Sequence, residues 1–401
     1  MASTDGGRYI SCRRFLLLVM NRESISREIR DEALLCVVSR LLAEHPATGR
    51  KLLEGSGSLD ALYEGGPLYV NEIMGVPEMG ETMFSGQMLD WGVQEALWMR
   101  SKGVRLIHIL SEDYPQQLRE CGNAPFLLYY RGSVPLAGAG RSLSVVGTRM
   151  ASAYGKEACQ AIIAGLAKLC PDVRIVSGLA IGIDSVSHRA ALDNSLQTIA
   201  VLPCGLDEIY PLQNRSLAVE IVSAGGIVTE YPRNTKPLRF NFLLRNRIIA
   251  ALSDALLVAE SRIRGGSMIT VDYAFSYNRD VFAVPGRMTD ANSYGCNYLI
   301  NKNVAQLCLN ASTIVSAMGW TKGHLSDIAR QPDLFSVPES LKEKILLSLS
   351  PVKGRSEEEL AQSTGGDVAG MSLALLHLEL EGAVCKKPPG LWYRNKDNEV
   401  Y

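Results

Sequence analysis

From Leu143 to about Leu309, short runs rich in β-branched residues alternate with stretches whose apolar residues recur at helical spacing. This alternation limits what the chain can fold into more than any other feature. The runs are Leu143–Val146, Val173–Val176, Thr198–Leu202, Ile227–Thr229, Ala255–Ala259 and Val281–Val284. Between most of them lie amphipathic segments such as Gly155–Leu169 and Gly182–Leu192. Strands apolar along their whole length are buried on both faces, and intervening helices supply the cover. The pattern predicts βαβ units, a parallel sheet and right-handed crossovers, an α/β fold.

The flanks differ. Over residues 1–120 the chain looks helical: Leu34, Leu35, Val38, Leu41 and Leu42 recur at helical spacing. Gly55-Ser56-Gly57-Ser58 and Gly65-Gly66-Pro67 break the pattern, and the stretch 70–90 shows no clear period. Residues 121–320 form the extended Rossmann-like domain, and 321–338, with Gly323, Pro332 and Pro338, a linker. In 339–401, Ser356-Glu357-Glu358-Glu359 supplies a helix N-cap with its capping-box Glu. Gly365-Gly366 turns into a third helix, Val368 to Glu381, and Cys385–Arg394 forms a hairpin around Pro388-Pro389-Gly390. Three helices and a hairpin make the winged-helix plan.

Formal net charge is only -1, so any nucleic-acid site must gather its cations locally. The nine cysteines and five histidines are dispersed and show no CxxC spacing. That predicts a reducing, cytoplasmic setting without a disulfide framework or metal site. Arg13-Arg14 precede an apolar run, Phe15 to Met20, too short for a signal peptide or a membrane span. The chain is expected to be neither secreted nor membrane-inserted.

In doubly wound sheets ligands bind beyond the carboxyl ends of the strands. Two turns there carry glycine: Val145-Val146-Gly147-Thr148-Arg149, and Ser177-Gly178-Leu179-Ala180-Ile181-Gly182-Ile183-Asp184. Glycine at such a turn either admits a phosphate close to backbone N–H groups or merely relieves crowding, and the turns alone do not decide. Neither a GxGxxG fingerprint nor a Walker A spacing occurs. The segment Pro232 to Arg247 holds Arg233, Lys236, Arg239, Arg245 and Arg247, two phenylalanines, 240 and 242, and no acid. Cations can track phosphates while aromatic faces stack on unpaired bases. A second basic turn follows, Ser261-Arg262-Ile263-Arg264-Gly265-Gly266-Ser267. The bland alternative is that these arginines are solvated or paired. Asp184 and His188, i and i+4 on a helix, read as a cap and a helix-face residue, and without a GxSxG elbow no catalytic set is assigned.

These segments, in one order across most of 105–315, closely resemble the DprA/Smf family of DNA-processing proteins. The match runs through Asp113-Tyr114-Pro115, the two glycine turns with His188, Thr198–Leu202 with Gly205-Leu206-Asp207, and Tyr210-Pro211. It continues through Arg245-Asn246-Arg247-Ile248-Ile249-Ala250, Gly266-Ser267, Phe282-Ala283-Val284-Pro285-Gly286 and Gly295-Cys296-Asn297. The resemblance implies a homodimer that binds single-stranded DNA, delivers it to the RecA recombinase, notably in natural transformation, and uses no cofactor and no catalysis. It implies phosphate contacts from Arg149, Arg245 and Arg247, and backbone donors at Gly178 and the Gly266-Ser267 turn. It implies stacking on Phe242, with dimer and recombinase surfaces at Leu299 and Ile300. Gly147, Lys236, Arg239 and Asn246 complete the expected DNA-binding set.

Two places depart from the family pattern. At His45–Leu53 with Gly57-Ser58-Leu59, the first glycine of the expected Gly-x-Gly hairpin is missing, so this region is taken as structural. The helix Val368–Glu381 has no Lys or Arg and bears an apolar stripe with Met371, Leu375 and Leu378; from Leu341 to Tyr401 eight Lys and Arg stand against nine Asp and Glu. A duplex reader needs donors there, so the module is expected to contact protein or to regulate. Two other functions stay in view. One is a nucleotide sensor or hydrolase, whose relatives carry Pro-Gly-Gly-x-Gly-Thr followed by Glu; here Arg264 replaces the proline and that Glu is absent. The other is a duplex-binding regulator acting through the winged helix.

Overall fold

The computed structural model describes residues 26–42, 45–138, 140–320, 339–364 and 368–395. The Phe15–Met20 run, the 321–338 linker and the Gly365-Gly366 turn lie outside the described residues. The described chain forms two compact units, 26–320 and 339–395.

Five helices open the first unit: α1 (Arg27–Leu42), α2 (Pro46–Ser56), α3 (Leu59–Met74), α4 (Met79–Met83) and α5 (Gly86–Lys102). The α1 residues Leu34, Leu35, Val38 and Leu42 are buried, as their spacing predicts. The stretch 70–90, without a period in sequence, is largely helical. Gly75 ends α3 with a left-handed φ of 66°, and Ser85 caps α5 by accepting the Met88 N–H.

Next come β1 (Arg105–His108), α6 (Gln116–Arg119) and β2 (Leu127–Gly132). Neither strand was expected from the sequence, and β1 puts the start of the sheet inside the stretch read as helical. Strand and helix then alternate: β3 (Ser142–Gly147), α7 (Ala153–Leu169), β4 (Arg174–Ser177), α8 (Ile183–Asp193), β5 (Thr198–Val201), α9 (Arg215–Ala224) and β6 (Gly226–Thr229). After β6 follow α10 (Arg239–Ala251), β7 (Ala255–Glu260), α11 (Gly266–Ser276), β8 (Asp280–Ala283), α12 (Tyr294–Asn301), β9 (Gln306–Leu307) and α13 (Ala311–Ala317). The nine strands form one sheet in the order β1-β2-β6-β5-β4-β3-β7-β8-β9. Pairing is parallel from β6 to β9 and antiparallel where β2 meets β1 and β6.

The sheet is buried on both faces, which explains its uninterrupted apolar strands. Val146, Val176, Val201 and Val258 face a core shared with α10, α11 and the N-terminal helices. Their neighbours Val145, Ile175 and Leu257 face α7, α8 and α13. The chain moves outward from β3 to β6 and then returns to place β7 on the other side of β3. This reversal opens a crevice at the carboxyl ends of β3, β4 and β7, the switch point where a doubly wound sheet leaves room for a ligand.

The second unit contains α14 (Glu339–Ser348), α15 (Glu357–Thr364), α16 (Val368–Leu380), β10 (Val384–Lys387) and β11 (Leu391–Arg394), the last two an antiparallel hairpin. The capping box forms as the sequence predicts: Glu359 N–H donates to Ser356 Oγ at 3.2 Å, and Ser356 N–H to Glu359 Oε2 at 3.1 Å. The apolar stripe of α16 is not a free surface. Met371, Leu375 and Leu378 are buried with Ile345, Leu360 and Trp392 in the unit's own core.

Candidate nucleic-acid interface

At the switch point, strand ends and helix starts are held by short, specific contacts. A Cβ on Gly147 would lie 2.5 Å from Ile183 Cγ1 and 2.8 Å from the Glu260 carbonyl, so only glycine lets β3 end against α8. Glu260, buried at the end of β7, accepts the Ser152 N–H at 2.9 Å and its hydroxyl at 2.7 Å. The same Ser152 hydroxyl oxygen accepts the Gly155 N–H and caps α7. Glu260 lies 108 residues from Ser152 in sequence, and only the fold shows that it anchors the loop carrying Arg149.

That loop forms one wall of a cleft of about 240 Å³. Arg149 is exposed, and its guanidinium carbon lies 5.0 Å from the centre of the Phe242 ring. Phe242 is half-buried and packs T-shaped with Tyr210, ring centres 5.5 Å apart. The opposite wall is the start of α11, where Gly266 is exposed and a Cβ on it would meet nothing within 4 Å. The first turn of α11 thus aims its unsatisfied N–H groups and positive dipole end at the same space as Arg149. Asn246 donates to the Gly266 carbonyl at 3.3 Å and steadies this turn from α10. Ser267 points inward, its hydroxyl 2.7 Å from that of Ser261.

Most of the cations in the 232–247 segment are not where the sequence suggests. Arg245 is buried and donates to the carbonyls of Gly178, at 2.6 Å, and Val201. Burial lowers its pKa to about 10, and Asp184 opposes that shift. Gly178 is consequently covered: a Cβ there would lie 2.5 Å from the Arg245 guanidinium carbon, so its backbone is not open to a phosphate. Arg247 is buried too, paired with the buried Glu230. Arg233 pairs with buried Glu95 of α5 at 3.0 Å, and Lys236 with Glu208 at 3.1 Å. Arg245, at the border of the cleft, is held by two carbonyls distant in sequence and Arg247 by Glu230, so neither guanidinium stands exposed as the expected phosphate contacts would. Arg149, Arg239, Arg262 and Arg264 stay exposed and make no ion pair among the described residues.

His188 is fully buried. The Thr198 hydroxyl donates to the Ile175 carbonyl, so the imidazole Nδ1–H donates to Thr198 Oγ1, at 2.7 Å. Burial, then Arg245, pushes its pKa down to about 3. Asp184 is buried and accepts the Ala180 N–H at 3.4 Å, which closes the glycine turn. His188 does not reach solvent as an acid or base, and Asp184 borders the cleft with little exposed surface. Leu299 lies in the core rather than on a surface, and half-buried Ile300 borders a cavity at the sheet edge with Phe275. Among the described residues no three His, Cys, Asp or Glu gather as metal ligands, and no helix is long and apolar enough to cross a membrane.

Fold and site together define a doubly wound α/β protein with a cationic, aromatic-walled cleft at its switch point. Comparison with known proteins supplies the family. The model for DNA recombination-mediator protein A matches residues 105–319, and the chain belongs to that family. DNA processing protein DprA of Streptococcus pneumoniae is 43% identical over 194 residues, 48% of this chain and 67% of that protein. A putative DNA processing protein DprA of Mycobacterium tuberculosis is 33% identical over 328 residues, 79% of this chain and 83% of its own. The X-ray structure of the Streptococcus pneumoniae protein covers 77% of this chain and 98% of its own at 31% identity, with a TM-score of 0.58. The family is one of recombination mediators, and no catalysed reaction defines it.

Proposed function

We infer that the switch-point cleft holds single-stranded DNA, and that the protein passes this strand to a RecA-type recombinase in the cytoplasm. The observation that carries the reading is the Arg149 guanidinium over the Phe242 ring, facing the open start of α11. A ring face takes an unpaired base, whereas a duplex offers only groove edges. The guanidinium and the α11 amides supply the accompanying phosphate contacts. Arg262, in the cleft wall, and Arg264 beyond it extend the cationic rim. A homodimer or recombinase contact fits the sheet edge near Ile300, where Phe275, Leu307 and Leu309 are exposed. The second unit fits a winged helix used for protein contact or regulation, since its third helix bears no Lys or Arg.

The test is anisotropy of a labelled single strand competed with duplex of equal length. Salt-sensitive binding that duplex competes poorly supports the reading. Arg149→Ala should lower the slope of log K against log salt by about 0.7, one phosphate on a single strand. Phe242→Ala should cost about 1–3 kcal/mol with little change of slope. Equal competition by duplex would sink the proposal.

A further inference from the structure

The cleft does not end at Arg262. A second opening, of about 1010 Å³, lies on the same edge of the sheet, and Arg262 lines both. Arg262 is held at this boundary: its Nε donates to Asn292 Oδ1 at 2.7 Å, and Asn292 Nδ2 donates to the Met150 carbonyl at 3.2 Å. Tyr154, in the first turn of α7, shows half its surface to solvent, and its hydroxyl donates to the Pro285 carbonyl at 2.6 Å. The ring is therefore tethered by its far end while still exposed. Arg287, on the loop beyond β8, is exposed and makes no ion pair among the described residues. Two acids border the opening. Glu260 is already engaged by Ser152, and Asp290 lies on the same exposed loop as Arg287. A tethered aromatic ring flanked by two guanidiniums repeats the chemistry of the first cleft, one cation further along the sheet edge.

We propose that this opening is a second nucleotide site, so that the strand leaving Phe242 passes over Arg262 and places another base against Tyr154, with Arg287 at a phosphate. The inference rests on the reading of the switch-point cleft as the first site. It fixes a direction: the strand runs along the β7–β8 side of the edge, not back over Arg239 and Phe240 at the start of α10.

Anisotropy with labelled oligothymidylates of about 4 to 16 nucleotides tests it on the full chain, since single-strand sites span that range. The shortest oligomers that bind should fill only the first site, and longer ones should gain affinity as the second fills. Tyr154→Ala should leave the shortest unchanged and weaken the longer ones between ~5- and ~150-fold, the worth of one stacked base. Tyr154→Phe keeps the ring and should bind as the unmodified protein does. Arg287→Gln, on an exposed loop, should reduce the salt slope by about 0.7 for long oligomers only. If these variants match the unmodified protein at every length while Phe242→Ala weakens all lengths, the second site is wrong and the first stands. Loss of the length-dependent gain in Phe240→Ala, with Tyr154→Ala unaffected, would reverse the direction and overturn the proposal. If Phe242→Ala changes nothing at any length, the first site fails and the second falls with it.

Discussion

Replacing Arg247 by leucine should destabilise the protein in a pH-dependent way without touching the salt dependence of DNA binding. The side chains of Arg247 and Glu230 are each only 5% exposed, and Arg247 Nη1 and Glu230 Oε1 find no hydrogen-bond partner. Burial raises the Glu230 pKa, and Arg247 is the group that holds it back. Arg247→Leu therefore strands a buried carboxylate, an error that costs about 3–5 kcal/mol when the charge stays. Protonation caps the loss. Holding a carboxyl neutral at pH 7, about 2.7 units above its unfolded pKa of roughly 4.3, costs about 3.7 kcal/mol, and at pH 5 only about 1 kcal/mol. The sign follows from linkage: a carboxyl whose folded pKa is raised keeps its stability below the unfolded pKa and loses it as pH rises. Urea unfolding of Arg247→Leu at pH 5 and pH 7 should thus show the larger deficit at pH 7. Arg247→Leu with Glu230→Leu should lose this pH dependence and recover much of the stability. The reasoning is refuted if the deficit at pH 7 does not exceed that at pH 5. It is refuted equally if the single variant unfolds normally while its salt slope for single strands drops.

Gly178→Ala should lower stability by about 1–3 kcal/mol through overpacking, because the new methyl would meet the Arg245 guanidinium; chemical unfolding reads the loss, and partial rescue by Arg245→Met would identify the clash. His188, with a folded pKa of about 3, contributes stability that is present above the unfolded value near 6.5 and lost as pH falls. Between those limits His188→Asn should flatten the pH dependence of unfolding by up to ~1.4 kcal/mol per pH unit, and an unchanged slope would mean that the imidazole is charged when folded. The core of 339–395 is separate from those of the first unit, so a chain ending at Trp320 should fold and bind single strands. Loss of binding by such a folded truncation would place the DNA contacts in the second unit.

The six apolar strand runs and their helices were legible because burial on both faces writes an unbroken apolar word for each strand. A site at the strand carboxyl ends followed from that alternation, the strand order that puts the switch point beside β3 did not, and the Ser356 cap followed from residue types at fixed offsets. β1 was not legible, because Arg105–His108 mixes charge with apolar residues in four positions. β2 was legible and went unread: Leu127-Leu128-Tyr129-Tyr130 lies between Gly122-Asn123-Ala124-Pro125 and Gly132-Ser133. The basic segment misled for a different reason. Its lack of acids is a local fact, whereas Glu95 lies 138 positions from Arg233, Glu208 28 from Lys236, and Glu230 17 from Arg247. No window centred on 232–247 contains the first two, and Glu230 stands just outside it. Leu299 failed likewise: its residue type fits a surface anchor and a core position equally, and only packing decides.

Those misplaced charges change what the interface can be. Counting Arg149, Lys236, Arg239, Arg245, Arg247, Arg262 and Arg264 as phosphate contacts gives a salt slope of about -5 for a single strand, nearly a thousandfold loss of affinity between 50 and 200 mM salt. With Arg245 and Arg247 inside, Lys236 held by Glu208 and Arg239 off the proposed path, Arg149, Arg262, Arg264 and Arg287 remain, for a slope of about -3 and a loss of about fiftyfold. On that count affinity leans more on base stacking on Phe242, which salt does not screen, and on the fixed amides at the start of α11, which bring no side-chain cation. The buried arginines brace the wall that carries Phe242. Arg245 bridges Gly178 and Val201, and so ties α10, which carries Phe242, to the ends of β4 and β5. A cleft held that way meets its ligand already ordered, and less of the stacking energy is lost in arranging the wall. A measured slope near -5 would mean that the arginines leave the interior on binding, and the rigid cleft argued here would have to be given up.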